Sequence, residues 1–194
     1  HLQRSPVLRM RRAKNLALAL AAVTLSVGLA RADVTSLYGS TVTATLNGYQ
    51  PVGGYSWTEE NEYYFPKNGR HALNGYDAES FGRGKGVVYT LNDRTCDILR
   101  YEFEYEGRIV TGKRHVCGQM FVEGNSVTLI DDSRDDNGLG HVVEFQRSLI
   151  FELSGAGGCS VIGYSTATTA YGTTEAQESG HCVIRPGRDP SMFE

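Results

Sequence analysis

Apolar and polar residues alternate with a period of two through much of this chain, while the 3.6-residue period of an amphipathic helix is nearly absent. Over 97–105, Leu99, Tyr101, Phe103 and Tyr105 fall on one face of an extended segment, with Arg100, Glu102 and Glu104 on the other. That pattern predicts a strand with one packed and one wet face. Residues 108–116 read as its partner, reached through a turn at Glu106-Gly107. A second row, Val143, Phe145, Leu149, Phe151 and Leu153, is interrupted by Arg147 and faces away from Glu144, Gln146, Ser148 and Glu152. Residues 41–46 form a short β-branched strand ending at Asn47-Gly48. Further strands are read at 87–91, 119–123, 126–130, 160–165 and 182–184, with Gly124-Asn125 as a tight hairpin turn. Residues 50–86 are the least patterned and read as long loops.

The expected fold is therefore all-β. Short strands between frequent turns predict an antiparallel meander that forms a small closed or partly open barrel, with a two-sheet sandwich as the alternative. Closure would also remove the unpaired edges that a free sheet exposes. Small exported barrels of the lipocalin-like kind often carry a Gly-x-Trp near the first strand. Gly54-Tyr55-Ser56-Trp57 is the nearest sequence here and is one residue longer, so the resemblance is one of size and architecture.

The N-terminal region reads as targeting sequence. Residues 1–9 precede the first methionine and read as upstream sequence. A basic stretch, Met10-Arg11-Arg12-Ala13-Lys14, leads into an apolar run of 14 residues from Leu16 to Leu29, then Ala30-Arg31-Ala32. Basic, apolar, small is the order of a secretory signal, here cleaved after Ala32. The run is shorter than the roughly 20 residues a spanning helix needs. The expected organisation is upstream residues plus a removable signal over 1–32, one β domain over 33–184 and a flexible polar tail over 185–194. The expected location is periplasmic or secreted.

Four cysteines, Cys96, Cys117, Cys159 and Cys182, fit that compartment as disulfides. The midpoint of the first two falls on Glu106-Gly107, and that of the last two near Ala170-Tyr171-Gly172. If both midpoints are hairpin turns, the pairing is Cys96–Cys117 and Cys159–Cys182, one staple per hairpin. A zinc site built from His115, Cys117, His181 and Cys182 is the rival, without the spacing of a finger or ribbon.

Charge narrows the partners. Six of the 19 Lys and Arg but none of the 22 Asp and Glu precede Asp33, which leaves 13 basic against 22 acidic groups, net −9, in 33–194. Such a domain has no footprint for phosphate backbones or anionic membranes, so neither nucleic acid nor a membrane is an expected partner.

Candidate chemistry is sparse. Asp131, Asp132, Asp135 and Asn137 crowd into one short run that could offer oxygens to calcium, although the sixth position of an EF-hand frame is Asp136 where glycine is required. The alternative for that run is a solvated turn. Gly163-Tyr164-Ser165 approaches a nucleophile elbow without the helix that must follow it. Glu102 and Glu104 share a strand face, as glycosidase carboxylates or as ordinary surface charge. Tyrosine is abundant, at 11 residues, and Trp57, Tyr63, Tyr64 and Tyr76 are the candidates for a recognition face. These features favour a non-enzymatic exported binding module, without a cofactor, for a small apolar ligand or a protein partner. The alternatives are a small outer-membrane barrel and a secreted hydrolase.

Overall fold

The computed structural model describes residues 33–78, 82–155 and 157–188, and between 75 and 85 its backbone only. Residues 1–32, which carry the expected signal and cleavage position, and 189–194 of the expected tail lie outside the described residues. A single 3-10 turn, Val34–Leu37, precedes ten strands: β1 (Ser40–Gln50), β2 (Tyr55–Phe65), β3 (His71–Ala78), β4 (Gly82–Leu91), β5 (Thr95–Tyr105), β6 (Arg108–Glu123), β7 (Ser126–Asp136), β8 (Val142–Leu153), β9 (Gly158–Thr169) and β10 (Gly172–Pro186). The expected all-β barrel is present and closed, which removes the sandwich alternative.

Nine strands make the wall. The order runs β4-β3-β2-β1-β10-β9-β8-β7-β6, and a parallel contact, Thr90 opposite Gln119 and Leu91 opposite Met120, closes the ring between β4 and β6. Asn92 N–H donates to the Met120 carbonyl at 2.8 Å and completes that seam. β5 stands outside the wall, paired along its length with β6. β6 meets β7 only from Lys113 onward, so the β5–β6 hairpin runs past the barrel wall at one end. The alternating row of Leu99, Tyr101 and Phe103 thus belongs to this hairpin and not to the barrel interior. There Tyr101 Oη donates to Asp135 Oδ1 at 2.5 Å, and its pKa is pushed up to about 12, by burial first and by that hydrogen bond second.

Both disulfides are the ones expected from the hairpin geometry. Cys96 lies directly opposite Cys117, and Cys159 opposite Cys182, with Cα–Cα separations of 4.0 and 5.0 Å. No described cysteine is free, which takes the thiolates from the zinc reading. The turns at Glu106-Gly107, Gly124-Asn125 and Ala170-Tyr171 all fall where they were expected, and Glu106 and Gly107 both adopt positive φ, 49° and 72°.

Four expectations are corrected. Strand β1 does not end at Asn47-Gly48 but continues to Gln50, in register with Trp57 and Tyr55 on β2. Most of 50–86 is strand, because polar residues such as Glu59 and Asn61 occupy inward positions of β2 and hide its alternation. The acidic run from Asp131 to Asp136 is the second half of β7 and not a turn. β10 likewise reaches Pro186, and Gly187 bonds to Gly39 and Thr41, so order continues past residue 185.

The lower half of the barrel is solid. Val42, Leu46, Tyr63, Phe65, Met120, Leu129, Leu149, Phe151 and Val161 are all buried, and Val34 and Leu37 of the 3-10 turn plug the end. The outward rows are mixed: Glu144, Gln146, Ser148 and Glu152 on β8 and Glu175, Gln177, Ser179 and His181 on β10 are polar, while Phe121, Ile130 and Ile162 are exposed and apolar. A lipid-spanning barrel requires a continuous apolar outward band, and the charged positions of β8 and β10 interrupt one.

Candidate functional site

Above the solid core the interior changes character. Strands β2, β1, β10, β9 and β8 line a cavity of about 260 Å³ with Gln50, Trp57, Glu59, Phe145, Arg147, Ser165, Ala167, Thr174, Ala176 and Glu178. Strand alternation puts every one of these side chains on the inner face. Trp57 and Phe145 sit on the two flanking strands. Small residues, Ala167, Thr174 and Ala176, occupy the wall between them and leave the space open.

One cross-strand row explains how the floor is assembled. Its members, in register, are Trp57, Gly48, Glu178, Gly163 and Leu149. The two glycines flank Glu178. A Cβ on Gly48 would run into the Trp57 indole, so the ring lies over the β1 backbone at that position. A Cβ on Gly163 would come within 2.8 Å of Glu178 Oε2 and 2.6 Å of Leu149. The second glycine therefore clears room for the carboxylate. Glycine in a strand interior is otherwise unfavourable, and such close approach is its usual reason.

Arg147 stands at the centre of the floor. Its Nε donates to Glu178 Oε2 at 2.8 Å, its second terminal nitrogen reaches the same oxygen at 2.7 Å, and that nitrogen also pairs with Glu59. Asn61 Nδ2 donates to Glu59 Oε1 at 2.8 Å and fixes that carboxylate from the side. The Arg147 and Glu178 side chains are only 12% and 3% exposed, so this is a buried ion cluster. Asp131 faces Arg147 directly across β7 and β8, yet its Oδ1 is buried without a hydrogen-bond partner.

Burial sets the electrostatics. It pushes the Asp131 carboxyl up to about 6, with Arg147 opposing and Glu178 adding. It also raises Glu178, against the pull of Arg147. For Arg147, burial works against the charge, and the surrounding oxygens of Tyr63, Glu59 and Glu178 overcome it and hold the guanidinium protonated. Tyr63 and Tyr89, buried below, are raised well above the ordinary phenol value, burial being the largest cause.

The residues expected from sequence scatter around this site. Trp57 lines the cavity. Tyr63 points inward but lies one level lower, edge-on to Phe151 at 5.3 Å between centroids. Tyr64 lies on the outer face with the Arg188 guanidinium 6.0 Å from its ring centroid. The Tyr76 side chain lies outside the described residues. Of the acidic run, Asp131 and Asp135 share one face and Asp132 the other, where it pairs with Arg94 at 2.8 Å. Asp135 pairs with Arg114 at 2.6 Å, and Asn137 Oδ1 caps the next loop through Leu139 N–H and His141 N–H. These four side chains do not form one oxygen cage, and no group of three His, Cys, Asp or Glu able to hold a metal occurs among the described residues. Ser165 is buried in the cavity wall, without a histidine among the cavity-lining side chains.

Sequence reasoning missed Arg147, Glu178 and Glu59. One signal was present: Arg147 keeps the parity of the apolar row Val143–Leu153 instead of breaking it. A cation at a strictly inward position implies buried partners. Fold and cavity together define a small, closed, nine-stranded barrel with a dry lower core and a polar, aromatic-walled upper chamber. No known protein family, no curated protein and no solved structure matches this chain.

Proposed function

We propose that the domain is a non-enzymatic binding module that holds a small molecule in the upper chamber of the barrel. The observation that carries this reading is the chamber itself: a preformed cavity of about 260 Å³ with two aromatic side chains and convergent polar groups, on a fully packed scaffold. That combination is the general form of a small-ligand site, and the volume is just under the roughly 300–1,000 Å³ of sites for drug-sized ligands. The ion cluster in its floor supports the same reading. Burying charge is unfavourable, and replacing such clusters by apolar residues is often neutral or stabilising, so a barrel built for stability alone has no use for this one. The two disulfides fit an extracellular or periplasmic protein, where such modules meet their ligands outside the cytosol.

Trp57 is the sole tryptophan of the chain, so its emission reports on the chamber directly. A library of small amphiphilic compounds is screened by Trp57 fluorescence and thermal melting. Binders raise Tm and shift the emission, and at a hundredfold excess over Kd the stabilisation is about 2.7 kcal/mol. An Ala176→Phe substitution, which fills the chamber, abolishes both responses. Absence of any emission change across the library, with an Ala176→Phe protein more stable than the parent, would overturn the reading.

A further inference from the structure

The charge balance of the chamber selects among ligands. We infer that it takes a small organic cation, an ammonium group on a short apolar body, held between the Trp57 and Phe145 rings and the Glu59 and Glu178 carboxylates. This rests on the small-molecule reading above and deepens it.

The lining contains two carboxylates and one guanidinium, a net charge of −1. Two of the three guanidinium nitrogens are committed: Glu178 takes the Nε–H and a terminal N–H, and Glu59 takes that same terminal group. An anionic ligand would therefore meet two carboxylates for a single cation already bonded to both. An ammonium ion meets the opposite situation, an excess of negative charge within a low-dielectric barrel. Asp131 lies behind Arg147 in the same register and adds negative charge on the far side of the guanidinium. Domain-wide charge acts in the same direction, with 22 acidic against 13 basic groups over 33–194, and a cleft of one sign concentrates ions of the other.

The walls complete the argument. The Trp57 indole lies over Gly48 in the chamber wall, and Tyr55 stacks near it at 5.8 Å between centroids. An indole face attracts cations more strongly than any other side-chain ring, and most strongly when water is excluded. Phe145 supplies a second ring from β8, while Ala167 and Ala176 offer apolar contact for a methyl or methylene body.

The test uses three near-isosteric probes: choline, the neutral 3,3-dimethylbutan-1-ol and the anion 3,3-dimethylbutanoate. Each is titrated at pH 7.5 and low salt, read by Trp57 emission and by calorimetry. Choline is expected to bind at least tenfold more tightly than the neutral alcohol, and the carboxylate most weakly. Glu59→Gln lowers choline affinity about tenfold and weakens the alcohol less; Trp57→Leu, read by calorimetry, also weakens choline more than the alcohol. Comparison of the three probes on the unaltered protein stands even if a variant fails to fold. Equal binding of choline and the alcohol, or tightest binding of the carboxylate, overturns the cation inference and leaves the small-molecule reading standing. Silence of all three, with binders found in the broader library, overturns the inference alone. Silence of every compound overturns both.

Discussion

Substituting Arg147 by methionine keeps a long unbranched side chain inside the barrel but removes the guanidinium that Glu178 and Glu59 share. Glu178, 3% exposed, is left as a buried carboxylate without its counter-ion, whereas Glu59 retains Asn61 and partial contact with solvent at 32% exposure. Breaking a buried pair from one side typically costs about 3–5 kcal/mol. Counting Glu178 fully and Glu59 hardly at all gives roughly 3 kcal/mol at neutral pH. For a domain of this size that corresponds to a fall in Tm of about 6–12 °C.

The loss should depend on pH in a definite sense. Burial raises Glu178 and Asp131 above their unfolded values already in the parent protein, and loss of Arg147 raises them further. The folded state therefore binds more protons than the unfolded state between the two sets of pKa values, and stability falls as pH rises through that window. Urea unfolding of Arg147→Met against the parent at pH 7.5 and pH 5.0 measures it. The deficit is expected to be largest at pH 7.5 and to shrink at pH 5.0. A companion Arg147→Met, Glu178→Leu protein removes both charges and should recover most of the loss. A deficit below about 1 kcal/mol, or one identical at both pH values, would refute the reasoning that the cluster is buried and charge-compensated.

Four further outcomes follow from the same geometry. Asp131→Asn, which removes a carboxylate raised to about 6 and left with an unpartnered Oδ1, is expected to stabilise the protein by roughly 1–2 kcal/mol at pH 7.5 and not at pH 4; paired urea titrations decide, and destabilisation at pH 7.5 would contradict it. Gly48→Ala places a methyl group where the Trp57 ring lies, so it should destabilise by about 1–3 kcal/mol and red-shift the emission as the indole is displaced; an unshifted spectrum would mean the ring is not bedded on β1. Replacing Cys159 and Cys182 together by alanine opens a loop with a sequence separation of 23 residues, with an expected loss of about 3 kcal/mol in guanidinium unfolding. The corresponding change at Cys96 and Cys117 should instead loosen the projecting β5–β6 hairpin, seen as faster amide exchange over 95–118.

The all-β class, the hairpin turns and both disulfides could be read from residues alone, because each is a local matter. Period-two alternation, a turn pair such as Glu106-Gly107 and two cysteines equidistant from it constrain neighbouring strands without reference to the rest of the chain. The same local reading misjudged Asn47-Gly48, a turn pair by composition but a strand interior in the fold, because Gly48 serves the Trp57 ring across the sheet. It also passed over β2, whose inward face carries Glu59 and Asn61 and so lacks an apolar signature.

Closure and the site belong to the tertiary structure. The parallel seam between β4 and β6 and the exclusion of β5 from the wall depend on how far the sheet curls, which no segment specifies alone. The ion cluster joins Glu59, Arg147 and Glu178 from three strands separated by 88 and 31 positions. Glu59 and Glu178 in isolation look like ordinary surface charge, and only the parity of Arg147 with its apolar row hints otherwise. Only when the sheet closes do their inward positions meet at one height, above a core that excludes water, and there burial turns three unremarkable side chains into the floor of a chamber.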